Sequence, residues 1–367
     1  MERIKAAVIG IGFIGAAHVE ALKRVPGVDV VALVNRHGAA EKAAELDVPQ
    51  AFADYREMIE VCKPDVIHIC TPNSNHKEVA LYAFEHGIHV VCEKPLARNA
   101  EEATEMLAAG EKSGLVHAVN FHNRFYPANH QLRNMIQDGA LGTVRSVQGK
   151  YLQDCFSKET DFNWRMLSQN SGKTRVMADI GSHWVDLAEY VTGMKVKEVF
   201  AEFQTDYPVR KMVKGDTVQE IAIDTEDTAY VLLRFENGAV GSAVFSQMIP
   251  GKKNQTAILV SGTEAAAEWD SESISELKIG YKNEFNRVLT KDPGLMHPAT
   301  APVVSYPGGH VEGFPDAFKQ NFIAIYKAIR GETPTGKFAT FADGLHAMQV
   351  CDKIYESAKS GRWVSLE

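Results

Sequence analysis

Through the first 120 residues, short runs of β-branched and aliphatic residues alternate with stretches whose apolar positions recur at helical spacing. Residues 6–9, 28–34, 66–70 and 88–92 read as strands that are apolar almost throughout. The intervening 16–24, 39–46 and 78–86 read as helices, the first with Ala17, Val19 and Leu22 available for packing. Strands apolar on both faces and separated by helices predict a parallel sheet covered on both sides, and right-handed crossovers make it doubly wound.

The pattern changes after Phe121. Residues 143–151 and 196–207 are strand-like without intervening helices, and 227–235 alternates, with Ala229, Val231, Leu233 and Phe235 on one face. Asn237-Gly238 follows, then an apolar run over 239–247, a hairpin signal because both turn residues tolerate positive φ. Residues 257–260 and 277–281 add strands. A large, mostly antiparallel open sheet with one face covered by helices is predicted, an α+β arrangement. The segment 291–309 holds Pro293, Pro298, Pro302 and Pro307 before Gly308-Gly309 and reads as a loop. Two helices close the chain, over 312–330 (Phe314, Phe318, Phe322, Ile325, Ile329) and 341–358 (Phe341, Leu345, Met348, Tyr355). The expected domains are 1–122, 123–338, and a closing helical segment 339–367 that packs back on the first.

Composition narrows the class of protein. A chain of 367 residues fits two domains at roughly 150 residues each. Lys and Arg number 39 against 47 Asp and Glu, a net charge of −8, which argues against nucleic acid as a partner. No apolar run approaches the ~18 residues of a membrane helix, and the start, MERIKAAVIGIG, runs directly into a strand, so no membrane association is expected. Five scattered cysteines without a C-x-x-C pair predict free thiols and a reducing, cytoplasmic setting. Among 13 histidines no H-x-x-x-H pair occurs, and no metal site is expected.

Candidate chemistry begins at Gly10-Ile11-Gly12-Phe13-Ile14-Gly15, which follows the first strand and opens the first helix. In that context the glycines serve a tight turn, close approach of backbone to a pyrophosphate, and helix–strand packing, while the helix N-terminus receives the anion. An acidic residue about 20 positions on would bind the ribose hydroxyls of NAD. Asn35 and Arg36 stand there instead. The missing carboxylate and the adjacent guanidinium lean towards NADP, although Asn35 can bind a hydroxyl and Arg36 can be merely solvated. Thr71-Pro72-Asn73-Ser74-Asn75-His76 and Glu93-Lys94-Pro95-Leu96 follow the third and fourth of these strands, at the carboxyl edge where such sheets bind ligands. Asp179 and His183 lie four apart at the start of an apolar helical face (Trp184, Leu187, Ala188, Val191). They suit a carboxylate orienting an imidazole for general acid–base work, or equally an N-cap and an ordinary histidine.

Together GIGFIG (10–15), TPNSNH (71–76), EKPLA (93–97), NFHNRFYP (120–127), WR (164–165) and DIGSHWVDL (179–187) resemble the Gfo/Idh/MocA oxidoreductase family, in the family's order. The resemblance implies an N-terminal Rossmann domain and a second domain for substrate and oligomerisation. It also implies NAD(P)-dependent hydride transfer between nicotinamide and a secondary alcohol or ketone of a cyclic polyol, sugar or glycoside. Residue by residue it implies Lys94, Asp179 and His183 as catalytic and substrate-binding groups. Glu93, Asn120, Trp164 and Arg165 fall beside the nicotinamide, and Thr71, Pro72, Asn73 and His76 along the cofactor groove. His310, in a Pro-Gly-Gly-His loop, is either a further substrate contact or a loop histidine. Many relatives have a glycine-rich run before the Asp179 segment; Lys173 and Arg175 stand there and either reshape the substrate side or lie outside it. A homodimer or homotetramer is expected by analogy. Two other readings use the same residues: a glycosidase or lyase working through transient oxidation at C3, and a sugar or dinucleotide sensor without catalysis.

Overall fold

The computed structural model describes residues 3–366 except Asp216. It divides into two compact units, one comprising 1–126 and 312–345, the other 127–311 and 346–367.

In the first unit, strands β1 (Ile4–Ile9), β2 (Val28–Val34), β3 (Ala51–Phe52), β4 (Val66–Ile69), β5 (His89–Cys92) and β6 (His117–Val119) form a parallel sheet in the order 3-2-1-4-5-6, the Rossmann order. A short strand, Ala339–Thr340, adds antiparallel to β6. The predicted 6–9, 28–34, 66–70 and 88–92 fall on β1, β2, β4 and β5, whose carboxyl halves are buried. The helices Phe13–Lys23 and Phe314–Ile329 lie together on one face, with Val19 and Leu22 of the former and Phe318, Phe322 and Ile325 of the latter in one buried cluster.

In the second unit, β7 (Ser146–Leu152), β8 (Val196–Gln204), β11 (Thr228–Phe235), β12 (Val240–Ser246), β13 (Gln255–Ser261), β14 (Ala266–Asp270), β15 (Glu276–Gly280) and β16 (Arg287–Thr290) make an open sheet. Its order among the described residues is 16-15-14-13-7-12-11-8, closed at the β8 edge by Val364–Ser365. Among the described residues only β7 and β12 of this sheet pair in parallel. A separate ribbon, β9 (Val209–Lys214) and β10 (Thr217–Ala222), was not foreseen, because its outward positions carry no alternating apolar pattern. Asn237-Gly238 makes the expected tight connection, with Gly238 at φ +85°. The helix Ser182–Thr192 covers one face, where Trp184 donates to the Ala257 carbonyl at 2.9 Å. The other face leaves Tyr230 and Leu232 exposed.

The division differs from the expected domains. The helix over 314–329, placed by its position in the sequence within 123–338, belongs to the first unit because its aromatic face meets His18 of the helix Phe13–Lys23. The helix Phe341–Ser360 starts against the first unit, where the Phe341 ring meets His117, but from His346 onward it belongs to the second. There His346 bonds Glu189 at 2.7 Å, and Ser357 accepts from the Ala201 amide.

Candidate active site

The glycine loop fits a dinucleotide. Gly10 has φ +91°, and a Cβ there would stand 2.7 Å from the Cys70 carbonyl oxygen; a Cβ on Gly15 would stand 2.0 Å from that of Gly10. Those two positions need glycine to let helix and strands close. A Cβ on Gly12 would meet nothing within 4 Å, so the N-terminus of the helix Phe13–Lys23 opens onto free space. A pyrophosphate fits there, received by unpaired helix amides. Phe13 is largely exposed and stacks on Phe314, and Ile14 is half-buried. Asn35 turns its Oδ1 to the Ile11 amide (3.1 Å) and its Nδ2 to the His37 carbonyl (2.5 Å), bracing the loop; Arg36 is exposed beside it. Thr71 ends the β4 side of the groove with a buried hydroxyl that has no protein partner, a second feature suited to a bound ligand.

Of the remaining groove residues, Pro72 is exposed and Asn73 buried. His76 is buried between the Thr71 carbonyl (2.9 Å) and those of Pro95 and Leu96, so it ties the two strand-end loops together. Lys94 is half-buried just past β5, before the cis-Pro95. Its backbone N–H donates to Glu93 Oε2 at 3.2 Å. Glu93 Oε1 accepts from His18 Nε2 (2.9 Å) and Asn120 Nδ2 (2.6 Å), and Asn120 Oδ1 accepts from Asn321 (2.9 Å). Burial alone would raise the Glu93 carboxyl, but the His18 hydrogen bond, the Lys94 charge and the Asn120 hydrogen bond outweigh it and hold it at about 2. The carboxylate is therefore ionised throughout the neutral range.

In the second unit, Asp179 sits in a π-helical turn, Met177–Gly181, that leads into the helix Ser182–Thr192 and so places Asp179 one turn before His183. Asp179 Oδ2 accepts from Gln247 Nε2 at 2.9 Å, and the same amide reaches Gln153 Oε1 at 3.0 Å. His183 is buried, its ring 6.3 Å from that of Tyr151, whose hydroxyl burial pushes up to about 12. Trp164 and Arg165 form a 3-10 turn, with the guanidinium over the indole at 4.7 Å. His310 is exposed, its Nδ1 3.2 Å from the Gly308 carbonyl, in a loop held by the buried Lys291 ammonium on the Tyr306 and Pro307 carbonyls.

Arg175 does not face a substrate surface. It is fully buried, pairs with Asp227, and donates to the Glu226 carbonyl; Glu226 in turn accepts from the Arg175 and Met177 amides at the root of the π turn. Arg210 shares Asp227 at 2.7 Å and caps the carbonyls of Phe156, Lys158 and Asp161. Lys173 is exposed, its ammonium 5.8 Å from the Tyr355 ring. The sequence reading missed His18, His68, Tyr326 and Gln247. The available signal for His68 was a titratable residue inside the otherwise apolar run VIHIC.

No group of three or more candidate metal ligands occurs among the described residues, and none of the described helices is long and apolar enough to cross a membrane.

Residues 4–121 match the oxidoreductase family with NAD-binding Rossmann fold, and 129–268 match the GFO/IDH/MocA C-terminal domain. Levoglucosan dehydrogenase of Pseudarthrobacter phenanthrenivorans is 30% identical over 393 residues, covering 100% of this chain and 99% of that protein. D-glucoside 3-dehydrogenase of Escherichia coli is 34% identical over 57% of each chain. A solved structure of levoglucosan dehydrogenase in complex with NADH and L-sorbose superposes with a TM-score of 0.92 at 29% identity, over the full length of both chains.

Two expectations follow. Asp227 neutralises two fully buried guanidinium groups, so Asp227→Asn should lower unfolding stability by about 3–5 kcal/mol, read from the urea midpoint. His68, His122 and His130 have pKa values driven down by burial, to about 3 and about 4 for the latter two. Their neutral forms are favoured in the folded state, so the stability is complete above about pH 6.5 and is lost as pH falls below it. His122 and His130 should each cost about 1.4 kcal/mol between pH 7.5 and 5.5. His122→Phe should flatten that dependence in urea titrations at the two pH values.

Proposed function

The chain belongs to the Gfo/Idh/MocA oxidoreductases, and from that premise we propose that it is an NAD(P)-dependent dehydrogenase of a secondary alcohol on a sugar, cyclic polyol or glycoside ring. The observation that carries the reading is the Lys94 locus: a half-buried lysine at the carboxyl end of β5, its backbone fixed by an ionised, buried carboxylate. An ammonium there can bond the reacting oxygen and stabilise its alkoxide-like charge. His183 gives or takes the hydroxyl proton, and Asp179, itself braced by Gln247, orients the imidazole. The bound nicotinamide accepts or returns the hydride. Glycine-loop amides and Thr71 hold the dinucleotide, with Trp164 and Arg165 assigned to its nicotinamide end and His310 to the sugar. The name of the full-length relative supports an anhydrosugar ring, and that of the relative matched over 57% a glucoside. The uncovered face of the second sheet, where Phe200, Tyr230, Leu232 and Leu259 line a depression of about 530 Å³, suits pairing with a second copy.

For the cofactor, the Asn35–Arg36 edge places no carboxylate against a 2′-phosphate and so supports use of NADP alongside NAD. Asn35→Asp should lower kcat/KM for NADP relative to NAD by about tenfold through added repulsion, measured with both coenzymes and one sugar.

The decisive assay follows nicotinamide absorbance with anhydrosugars, inositols, free hexoses and aryl glycosides. Reduction is expected with one ring class, and Lys94→Ala should lower kcat by about 10³-fold while leaving coenzyme affinity within about twofold. Release of aglycone without net reduction would instead assign internal oxidation and re-reduction. The absence of both changes would overturn the dehydrogenase reading.

A further inference from the structure

Behind Glu93 runs a buried polar chain that the proposed reaction does not use. His18 Nε2 meets Glu93 Oε1 at 2.9 Å, His18 Nδ1 meets His68 Nδ1 at 2.9 Å, and His68 Nε2 meets the Tyr326 hydroxyl at 3.0 Å. His18, His68 and Tyr326 are fully buried, walled by Phe318 and Phe322. Two imidazoles in an apolar wall are costly unless every link is a hydrogen bond, so the hydrogens can be assigned link by link.

A carboxylate only accepts, which puts a hydrogen on His18 Nε2. In a neutral imidazole His18 Nδ1 is then an acceptor. His68 Nδ1 must carry the hydrogen between the two rings, His68 Nε2 is left as acceptor, and Tyr326 donates to it. With Glu93 ionised and both rings neutral, no other arrangement satisfies these three links; Asn120 Nδ2, 3.2 Å from His18 Nε2, gives its hydrogen to Glu93 Oε1 instead. Every donor points toward Glu93, and aligned hydrogen bonds polarise one another.

We infer that Tyr326, His68 and His18 are positioning residues for hydride transfer, a one-way donor chain that holds Glu93 Oε1 as an acceptor and leaves Oε2 to fix the Lys94 backbone. The inference rests on the role given to Lys94 above. The low proton affinity of Glu93 agrees with a carboxylate surrounded by donors, and burial keeps His68 neutral.

The test uses the full chain. In ¹⁵N-histidine-labelled protein at pH 7.5, long-range ¹H–¹⁵N correlations should show His18 as the Nε2–H tautomer and His68 as the Nδ1–H tautomer, assigned by single His→Asn variants. His68→Leu removes the donor and should lower kcat about tenfold, with KM and coenzyme Kd within about twofold. His68→Asn, whose amide can donate where the Nδ1–H stood, should recover most of that loss although it fits the apolar wall less well. Should His68→Leu not fold, Tyr326→Phe deletes one oxygen, keeps the ring, and should lower kcat about threefold.

Opposite tautomers, or either imidazole protonated at both nitrogens, would overturn the chain. An unchanged kcat, or His68→Asn no better than His68→Leu, would reduce His68 to packing and overturn its positioning role. A wild type that oxidises no sugar yet shows both tautomers overturns the positioning role through the failure of the dehydrogenase reading, with the chain itself intact, so the two failures are told apart.

Discussion

A carboxylate inside a protein is stable only when donors replace the water it has lost. Glu93 imposes that constraint on the first unit. Its donors come from three places far apart in sequence: His18 on the first helix, Asn120 just after β6, and the amide of the very next residue. Asn321 then supports Asn120 from the helix near the other end of the chain. Satisfying one buried charge therefore draws the first helix, the late helix and the end of β6 to the carboxyl end of β5, where the loop carrying Lys94 begins.

The second unit solves a similar problem with ions. Asp227 lies between Arg175 and Arg210, all three buried, and neighbouring Glu226 anchors the amides that start the π turn. Such a cluster contributes little net stability against an apolar substitute, but it penalises every arrangement in which one partner is misplaced. The turn of Asp179 and the loop containing Phe156, Lys158 and Asp161 are thereby set by two adjacent carboxylates. The π turn matters as well: its extra residue per turn changes which side chains precede His183 on its face.

What could be read from the sequence follows from how local each signal is. The apolar strands, the glycine loop and the Asn-Gly hairpin are properties of a few adjacent residues, and they stand where the pattern predicts. Asn35 was singled out for its position after β2, but its engagement with the Ile11 amide is a contact across 24 positions that no local pattern encodes. The same holds for Gln247, an ordinary-looking glutamine after β12 that grips Asp179 from 68 positions away. Arg175 was visible as a departure from the usual glycine-rich run, yet only its burial beside Asp227 shows that it supports the turn. The assignment of 314–329 failed for a related reason: helical periodicity gives the apolar face of a helix and not the surface that face meets.

That late helix has a consequence for how the protein could be taken apart. The phenylalanines at 318 and 322 form one wall around His18 and His68, while the chain between residues 126 and 312 belongs wholly to the other unit. A fragment ending at 126 would contain all six parallel strands and the entire glycine loop, but it would open a pair of buried imidazoles and an apolar helix face to water. The nucleotide-binding half is thus contiguous in space and not in the gene. Shuffling it between proteins would require moving two segments at once, with everything between them acting as a long insertion.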